Sequence, residues 1–452
     1  MCGIFCMFNA DEGQTSDFYH KCVDKLLHNR GPDKAETEDK ILKVFETIEG
    51  PFSIICLSNS KLYFARDSLG RNSLILGKKG DMCFLSSVMS PFEDAFEAIE
   101  LPSLGIFCYD IKSKEINLFP YFELNHPHHQ TQLKLVTTFY SSLSLQRQIK
   151  LKWKEEKVLT TPKFSFNEVT KSLSDSKSLF ENLLRIPEIY ETCDIFLELL
   201  SKSVKDRVEQ TPKLCKDCLY QKVSSCCHCH VGILFSELRK LAPNRRWNFI
   251  EINVTRDELG DNIKKLSSLV FPLSNVLDES LGAALYFASR GVGTCDGLLY
   301  QSTCRVILIG SGADELFGGY TRHRNAFKRS TENRDLLKEE LDLDWARLPS
   351  RNLARDDRVI GDNGITSRAP FIEEKFVNFV QQLQPLQRCY PALVEGVGDK
   401  LLLRLCAYKL GLTNCSSLRK RALQFGSRIA DKKQSATDIS MLLLKSSINS
   451  NN

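Results

Sequence analysis

No apolar run among the 452 residues approaches the roughly 18 that a membrane helix needs. Nor does Met1-Cys2-Gly3 open a basic stretch followed by an apolar one, as a secretory leader would. Both absences point to the cytoplasm and away from a membrane. Basic residues are not interleaved with aromatics and no nucleic-acid module stands out. The net charge of +5, from 61 basic and 56 acidic residues spread along the chain, therefore argues against a nucleic-acid partner. Cysteine is not scarce, yet most of the 17 cysteines stand singly in apolar context, Cys56 and Cys406 among them. Such cysteines act as small buried hydrophobes under reducing conditions. A hydrophobic content of 42% over this length is enough for two packed domains.

The first stretch, to about Phe122, reads as short strands joined by turns: Gly3 to Phe8, Phe52 to Leu57, Lys61 to Phe64, Ser73 to Leu76 and Leu104 to Tyr109. Residues 123–185 shift to Ser, Thr, Lys and His with little helical periodicity before Ser178, which reads as a linker or variable insertion. Residues 186–430 alternate helical patterns, Ile195 to Val208 and Leu277 to Ser289, with compact apolar runs, Val231 to Phe235, Asn248 to Val254 and Val306 to Ile309. That alternation predicts a parallel sheet covered by helices, an α/β domain. Residues 431–452 form a polar tail.

A cysteine at position 2 becomes a candidate nucleophile once Met1 is removed, because Cys2 then carries a free α-amine, pKa about 8, that can serve as its own general base. The motifs His28-Asn29-Arg30-Gly31-Pro32-Asp33, Arg66-Asp67-Ser68-Leu69-Gly70-Arg71 and Phe84-Leu85-Ser86-Ser87 follow in that order. Together they resemble the class II glutamine amidotransferase domain. The resemblance implies an N-terminal-nucleophile αββα sandwich across residues 2–122, in which Cys2 attacks the glutamine amide to release ammonia. Taken alone, Arg30-Gly31-Pro32-Asp33 and Arg66-Asp67 also suit ordinary Gly-Pro turns with flanking charges. In that family an Asn-Gly-Glu-Ile segment forms the oxyanion hole, and no Asn-Gly pair occurs in the first 122 residues. Losing one oxyanion donor costs about a hundredfold to a thousandfold in rate, and here the whole donor set is missing.

In the second half, Ile309-Gly310-Ser311-Gly312-Ala313-Asp314-Glu315-Leu316-Phe317-Gly318-Gly319-Tyr320 follows an apolar strand. Glycines at a strand end let backbone approach a ligand, and the paired carboxylates Asp314 and Glu315 suit Mg²⁺ against phosphates. The alternative is a Gly-rich strand-to-helix turn with Asp314 as its cap. The segment resembles its counterpart in asparagine synthetases. Asp278-Glu279-Ser280, Asn352-Leu353-Ala354-Arg355-Asp356-Asp357-Arg358, Arg368-Ala369-Pro370-Phe371 and Lys420-Arg421-Ala422-Leu423-Gln424-Phe425-Gly426-Ser427 follow in family order, in the form of the asparagine synthetase domain-containing branch. The resemblance implies ATP and Mg²⁺ as cofactors, aspartate and glutamine as substrates, and amidation of aspartate through an acyl adenylate. It implies Ser236, Gly310, Gly312, Asp314, Glu315 and Lys420 as the nucleotide and Mg²⁺ residues.

Here too a loop is missing. The family holds pyrophosphate on a Ser-Gly-Gly-x-Asp-Ser loop after its first strand, whereas this chain reads Val231-Gly232-Ile233-Leu234-Phe235-Ser236-Glu237 with no glycine again until Gly260. Parallel neighbours require a crossover of about a dozen residues. The short space after Phe235 therefore predicts one short helix and a sheet lacking at least one family strand. Ser311 stands where the synthetases carry a glutamate, and Ala422 where they carry a lysine, with Lys420 or Arg421 as the remaining cations for the phosphates.

Cys215, Cys218, Cys226 and Cys229 form a C-x₂-C-x₇-C-x₂-C pattern. Two short cysteine pairs suit a structural zinc ion, and free thiols are the alternative. The whole chain thus reads as an asparagine synthetase-like protein without two catalytic loops. It is then a pseudoenzyme, an interaction protein with surfaces such as Arg322-His323-Arg324 or the cysteine-rich segment, or a shortened form of an active enzyme.

Overall fold

The computed structural model describes residues 5–8, 38–89, 97–140, 142–155, 162–166, 175–209, 228–331, 335–421, 423, 438 and 440, with backbone alone for 5–8 and 228–232. The chain is mixed α/β and divides into two units, residues 2–156 with 349–354, and residues 157–348 with 355–452. No described helix is long and apolar enough to cross a membrane. The nine cysteines whose side chains are described form no disulfide, and Cys83, Cys108, Cys193, Cys389 and Cys406 are buried.

The first unit holds strands β1 (Phe5–Phe8), β2 (Ser53–Ser58), β3 (Lys61–Arg66), β4 (Ile75–Lys79), β5 (Met82–Ser86), β6 (Glu97–Glu100), β7 (Gly105–Asp110), β8 (Ile116–Pro120) and β9 (Leu143–Leu145). They form two sheets, ordered β1-β5-β4-β6 and β2-β3-β7-β8-β9. All described pairings in them are antiparallel except β8 with β9. The β2–β3 turn places Asn59 and Ser60 at φ 51° and 63°, the left-handed pair whose twist suits a tight hairpin. One core joins the sheets: Leu62, Phe64, Phe107, Tyr109 and Leu118 from one face Leu76 and Leu85 from the other, and Phe64 stacks on Phe107 at 5.5 Å. Because side chains alternate along a strand, Tyr63 takes the opposite face of β3, where its hydroxyl donates to Glu38 of helix Glu38–Thr47 at 3.2 Å.

Part of the expected linker belongs to this unit. Helix Pro127–Thr137 starts at His126, whose ring accepts from the His128 amide. Val136 and Leu143 join the sheet core, and β9 extends the five-stranded sheet. The unit thus runs to residue 156 rather than to Phe122. The polar composition of this segment hides buried apolar residues at irregular spacing, Val136, Phe139, Tyr140, Ile149, Leu151 and Trp153.

The second unit is mainly helical. Its parallel pairing among the described residues is confined to β12 (Val306–Leu308) beside β13 (Thr366–Arg368), and β10 (Val292–Cys295) forms a hairpin with β11 (Leu298–Gln301). The expected strand Val231 to Phe235 lies instead inside helix His228–Leu241. The apolar run there continues as Leu234, Leu238 and Leu241, a helical spacing, and Arg239 lies over the Phe235 ring at 4.3 Å. Asn248 to Val254 is extended, with one antiparallel bridge from Glu251 to Thr294, and forms no strand of the parallel sheet. Helix Pro187–Glu209 contains the predicted Ile195 to Val208, and helix Val276–Arg290 the predicted Leu277 to Ser289. The main core gathers Phe196, Phe317, Phe376, Phe379, Leu401 and Leu405.

Candidate functional site

The turn after β12 gathers most of the nucleotide residues expected from the sequence. Gly312 has φ +96°, and a Cβ there would lie 2.3 Å from Ile372 Cδ1, so this position must be glycine. Gly310 is exposed, and a Cβ there would meet nothing within 4 Å. The turn feeds the short helix Ala313–Phe317, which carries Asp314 and Glu315.

Asp314 lies between two ammonium groups, with Lys400 Nζ 3.0 Å from Oδ1 and Lys420 Nζ 2.9 Å from Oδ2. Burial opposes its ionisation, but Lys400 and Lys420 together hold the carboxyl below its ordinary range. Glu315 behaves in the opposite way. Burial and then the neighbouring Asp314 push its carboxyl up, although the Tyr320 hydroxyl donates to it at 2.6 Å. Lys420 also sits 4.1 Å from the centre of the Tyr320 ring, whose other cationic neighbour is Arg322 at 4.0 Å.

Ser311 donates to Asp356 at 3.0 Å. Arg355 grips Asp356 through Nε at 3.1 Å and Nη2 at 2.7 Å, and Asp278 through Nη1 at 2.7 Å. All three members of this charge cluster are buried. Burial opposes ionisation of Arg355, but Asp356 and Asp278 hold the guanidinium above its ordinary value. Burial raises Asp356 despite Arg355.

Ser236 does not join the site. It is exposed on helix His228–Leu241, while its neighbour Glu237 accepts from the backbone of Asn414 at 2.7 Å and of Cys415 at 3.0 Å. That carboxylate pins the helix to the following chain and leaves no strand end at which a phosphate loop could begin.

In the first unit, Arg66, Asp67 and Gly70 form an internal brace. Arg66 is fully buried and donates to the carbonyls of Asn72, Leu101, Gly70 and Pro349 at 2.6, 3.0, 2.6 and 2.9 Å. Asp67 accepts from the amides of Leu69 and Arg71 and from Arg71 Nε. Gly70 has φ +63° and no room for a Cβ, which would lie 2.3 Å from Ser103 Oγ. Cys2, Arg30, Gly31, Pro32 and Asp33 lie outside the described residues, as do Cys215, Cys218 and Cys226; of Cys229 only the backbone, in a helix, is described.

Of the basic run Arg322-His323-Arg324, His323 is buried and the two arginines are half-buried. His323 is fully buried against Asp344 at 2.8 Å, Arg322 pairs with the same carboxylate, and Arg324 donates to the Pro391 and Leu393 carbonyls. Sequence reading missed Lys400. Its signal is the Gly396-Val-Gly-Asp turn before helix Leu401–Lys409, where Lys400 holds φ +55°.

A mixed α/β chain whose Gly-rich turn carries paired acids after a parallel strand is an asparagine synthase-like protein, and the asparagine synthase family model matches residues 238–337. The chain belongs to the asparagine synthetase domain-containing proteins. It is 37% identical to the member from Drosophila melanogaster over 500 residues, covering 95% of this chain and 86% of the relative. It is 31% identical to asparagine synthetase domain-containing protein 1 of Gallus gallus, covering 87% of this chain and 80% of that protein. A putative glutamine-hydrolysing asparagine synthetase of Methanocaldococcus jannaschii is 39% identical over 114 residues, 24% of this chain and 19% of the relative. The 500 aligned positions with the fly protein exceed the 452 residues of this chain, so that relative carries residues with no counterpart here.

Proposed function

We propose that this chain keeps the asparagine synthetase scaffold without its chemistry, the ATP-dependent amidation of aspartate with nitrogen from glutamine. The observation that carries the reading is Ser236, exposed on a helix where the family chemistry needs a strand end and a glycine loop for pyrophosphate. The acids point the same way. Both Asp314 oxygens face lysines and Glu315 accepts the Tyr320 hydroxyl, an arrangement that does not fit Mg²⁺. Ser311, where the synthetases have a glutamate, is spent on Asp356. ATP without a donor loop binds no tighter than about millimolar, roughly 4 kcal/mol, and misplacing its α-phosphate by an ångström costs a further factor of about a hundred. In the first unit, two sheets sharing one core support descent from an N-terminal-nucleophile sandwich, with Cys2 a nucleophile lacking its oxyanion donors.

Aspartate-dependent exchange of pyrophosphate into ATP, with ammonium supplied in place of glutamine, is expected to be undetectable. Exchange that disappears in Asp314→Asn would show a working site. Glutamate release from glutamine is likewise expected not to exceed that of Cys2→Ala, and a cysteine-dependent rate would restore the amidotransferase half. For Cys215, Cys218, Cys226 and Cys229 we propose a structural zinc ion, about one per chain; metal-free protein with four titratable thiols there would refute it.

A further inference from the structure

The hairpin of β10 and β11 has one open strand edge. Its two-residue turn, Asp296-Gly297, holds φ 51° and 79°, the left-handed pair that suits a tight hairpin. Cys295 lies opposite Leu298, Thr294 opposite Leu299, Gly293 opposite Tyr300 and Val292 opposite Gln301. In an antiparallel ladder only alternate pairs exchange hydrogen bonds. The phase of the alternation is fixed at two places. Just past the strands, the Ser302 amide donates to the Gly291 carbonyl at 2.8 Å, and Thr294 turns away from β11 to exchange both backbone bonds with Glu251, at 2.8 and 2.9 Å. The amides and carbonyls of Leu299 and Gln301 therefore point outward from β11, and no hydrogen bond reaches them among the described residues.

The same edge is strongly apolar. Leu298 is 75% exposed and Leu299 85%, the two highest values among the large hydrophobic residues described. An exposed edge of this kind is a template for a further strand, and its chemistry matches a second copy of itself. No charged residue occurs from Leu298 to Cys304, so antiparallel pairing of two such edges sets no like charges opposite each other. With Leu299 opposite Gln301 of the second copy, each outward amide finds a carbonyl. Tyr300 then faces its own counterpart across the two-fold axis, and the two Leu299 side chains become diagonal neighbours on the other face. The exposed Asp296 of one copy runs alongside the exposed Arg305 of the other, so opposite charges meet at both ends.

We propose that β11 is a self-association edge through which two copies of this chain pair antiparallel into one four-stranded sheet. So short a contact buries less than the roughly 1,600 Å² of a standard interface, and a dissociation constant of about 10–100 µM is expected. Sedimentation velocity of the full chain in reductant, from about 1 to about 100 µM, tests this. The average mass is expected to rise toward twice that of the chain, with the Leu299 and Gln301 amides gaining protection from hydrogen exchange over the same range. Leu299→Lys places two cations near the axis and is expected to weaken association at least about tenfold, leaving thermal unfolding unchanged because the side chain is already in solvent. Val394→Lys alters another exposed apolar residue, 71% accessible and outside the hairpin, and is expected to associate like the parent. A chain that stays monomeric across the range, association indifferent to Leu299→Lys, or equal weakening by Val394→Lys would each overturn the proposal.

Discussion

Asp314 has a pH dependence whose sign follows from its two lysine partners. Its folded pKa lies below the unfolded value of about 3.9. The stability it contributes is therefore fully present above that value and is lost as pH falls through the lowered one. Asp314→Asn leaves Lys400 and Lys420 facing each other, and a loss of about 1–3 kcal/mol at neutral pH is expected. Urea denaturation from pH 7 down to pH 3 should show the gap between variant and parent closing at the acid end; a gap independent of pH would deny Asp314 its role. Arg355 offers a second charge to test. Arg355→Met leaves two buried carboxylates, Asp278 and Asp356, without their shared cation, and a cost of about 3–5 kcal/mol is expected in the same measurement. The acidic motif was legible as residues in sequence, because glycines and paired acids after an apolar run are local signals. Its ion pairs were not, since Lys400 and Lys420 come from distant stretches that only folding brings to Asp314.

At the level of elements, the turn after β12 contains two glycines that the sequence treats alike and the structure separates. Gly312→Ala must adopt a left-handed φ against Ile372 and is expected to destabilise by about 1–3 kcal/mol. Gly310→Ala enters open space and is expected to stay within about 0.5 kcal/mol. Thermal unfolding of both variants checks this, and equal losses would mean that the turn relaxes as a whole. Val231 to Phe235 teaches the same lesson in reverse. Five apolar residues fit a buried strand or one turn and a half of helix equally well, and the leucines that follow at helical spacing, with Glu237 fastened to Asn414 and Cys415, decided for helix.

At the scale of the molecule, residues 349–354 return from the C-terminal half of the chain to the first unit, where the Pro349 carbonyl accepts from buried Arg66 at 2.9 Å. A fragment ending at residue 156 lacks that acceptor. A hydrogen bond to a charged group contributes about 1.5–3 kcal/mol, so amide protection in β3 and β7 is expected to fall at least about tenfold relative to the full chain. Hydrogen exchange reads this directly, and equal protection would show the returning segment to be dispensable. The sequence by itself determined the family, the strand rhythm of the first half and the two long helices of the second, because motifs and apolar periodicities are short-range properties. It also determined that the Asn-Gly and Ser-Gly-Gly segments are missing. Only the tertiary structure decided that the first part of the expected linker belongs to the first unit, that Arg66 and Asp67 brace a turn, and that Asp314 is neutralised from within. Each of those depends on which distant residue fills the space beside a buried polar group, and local sequence does not specify that neighbour.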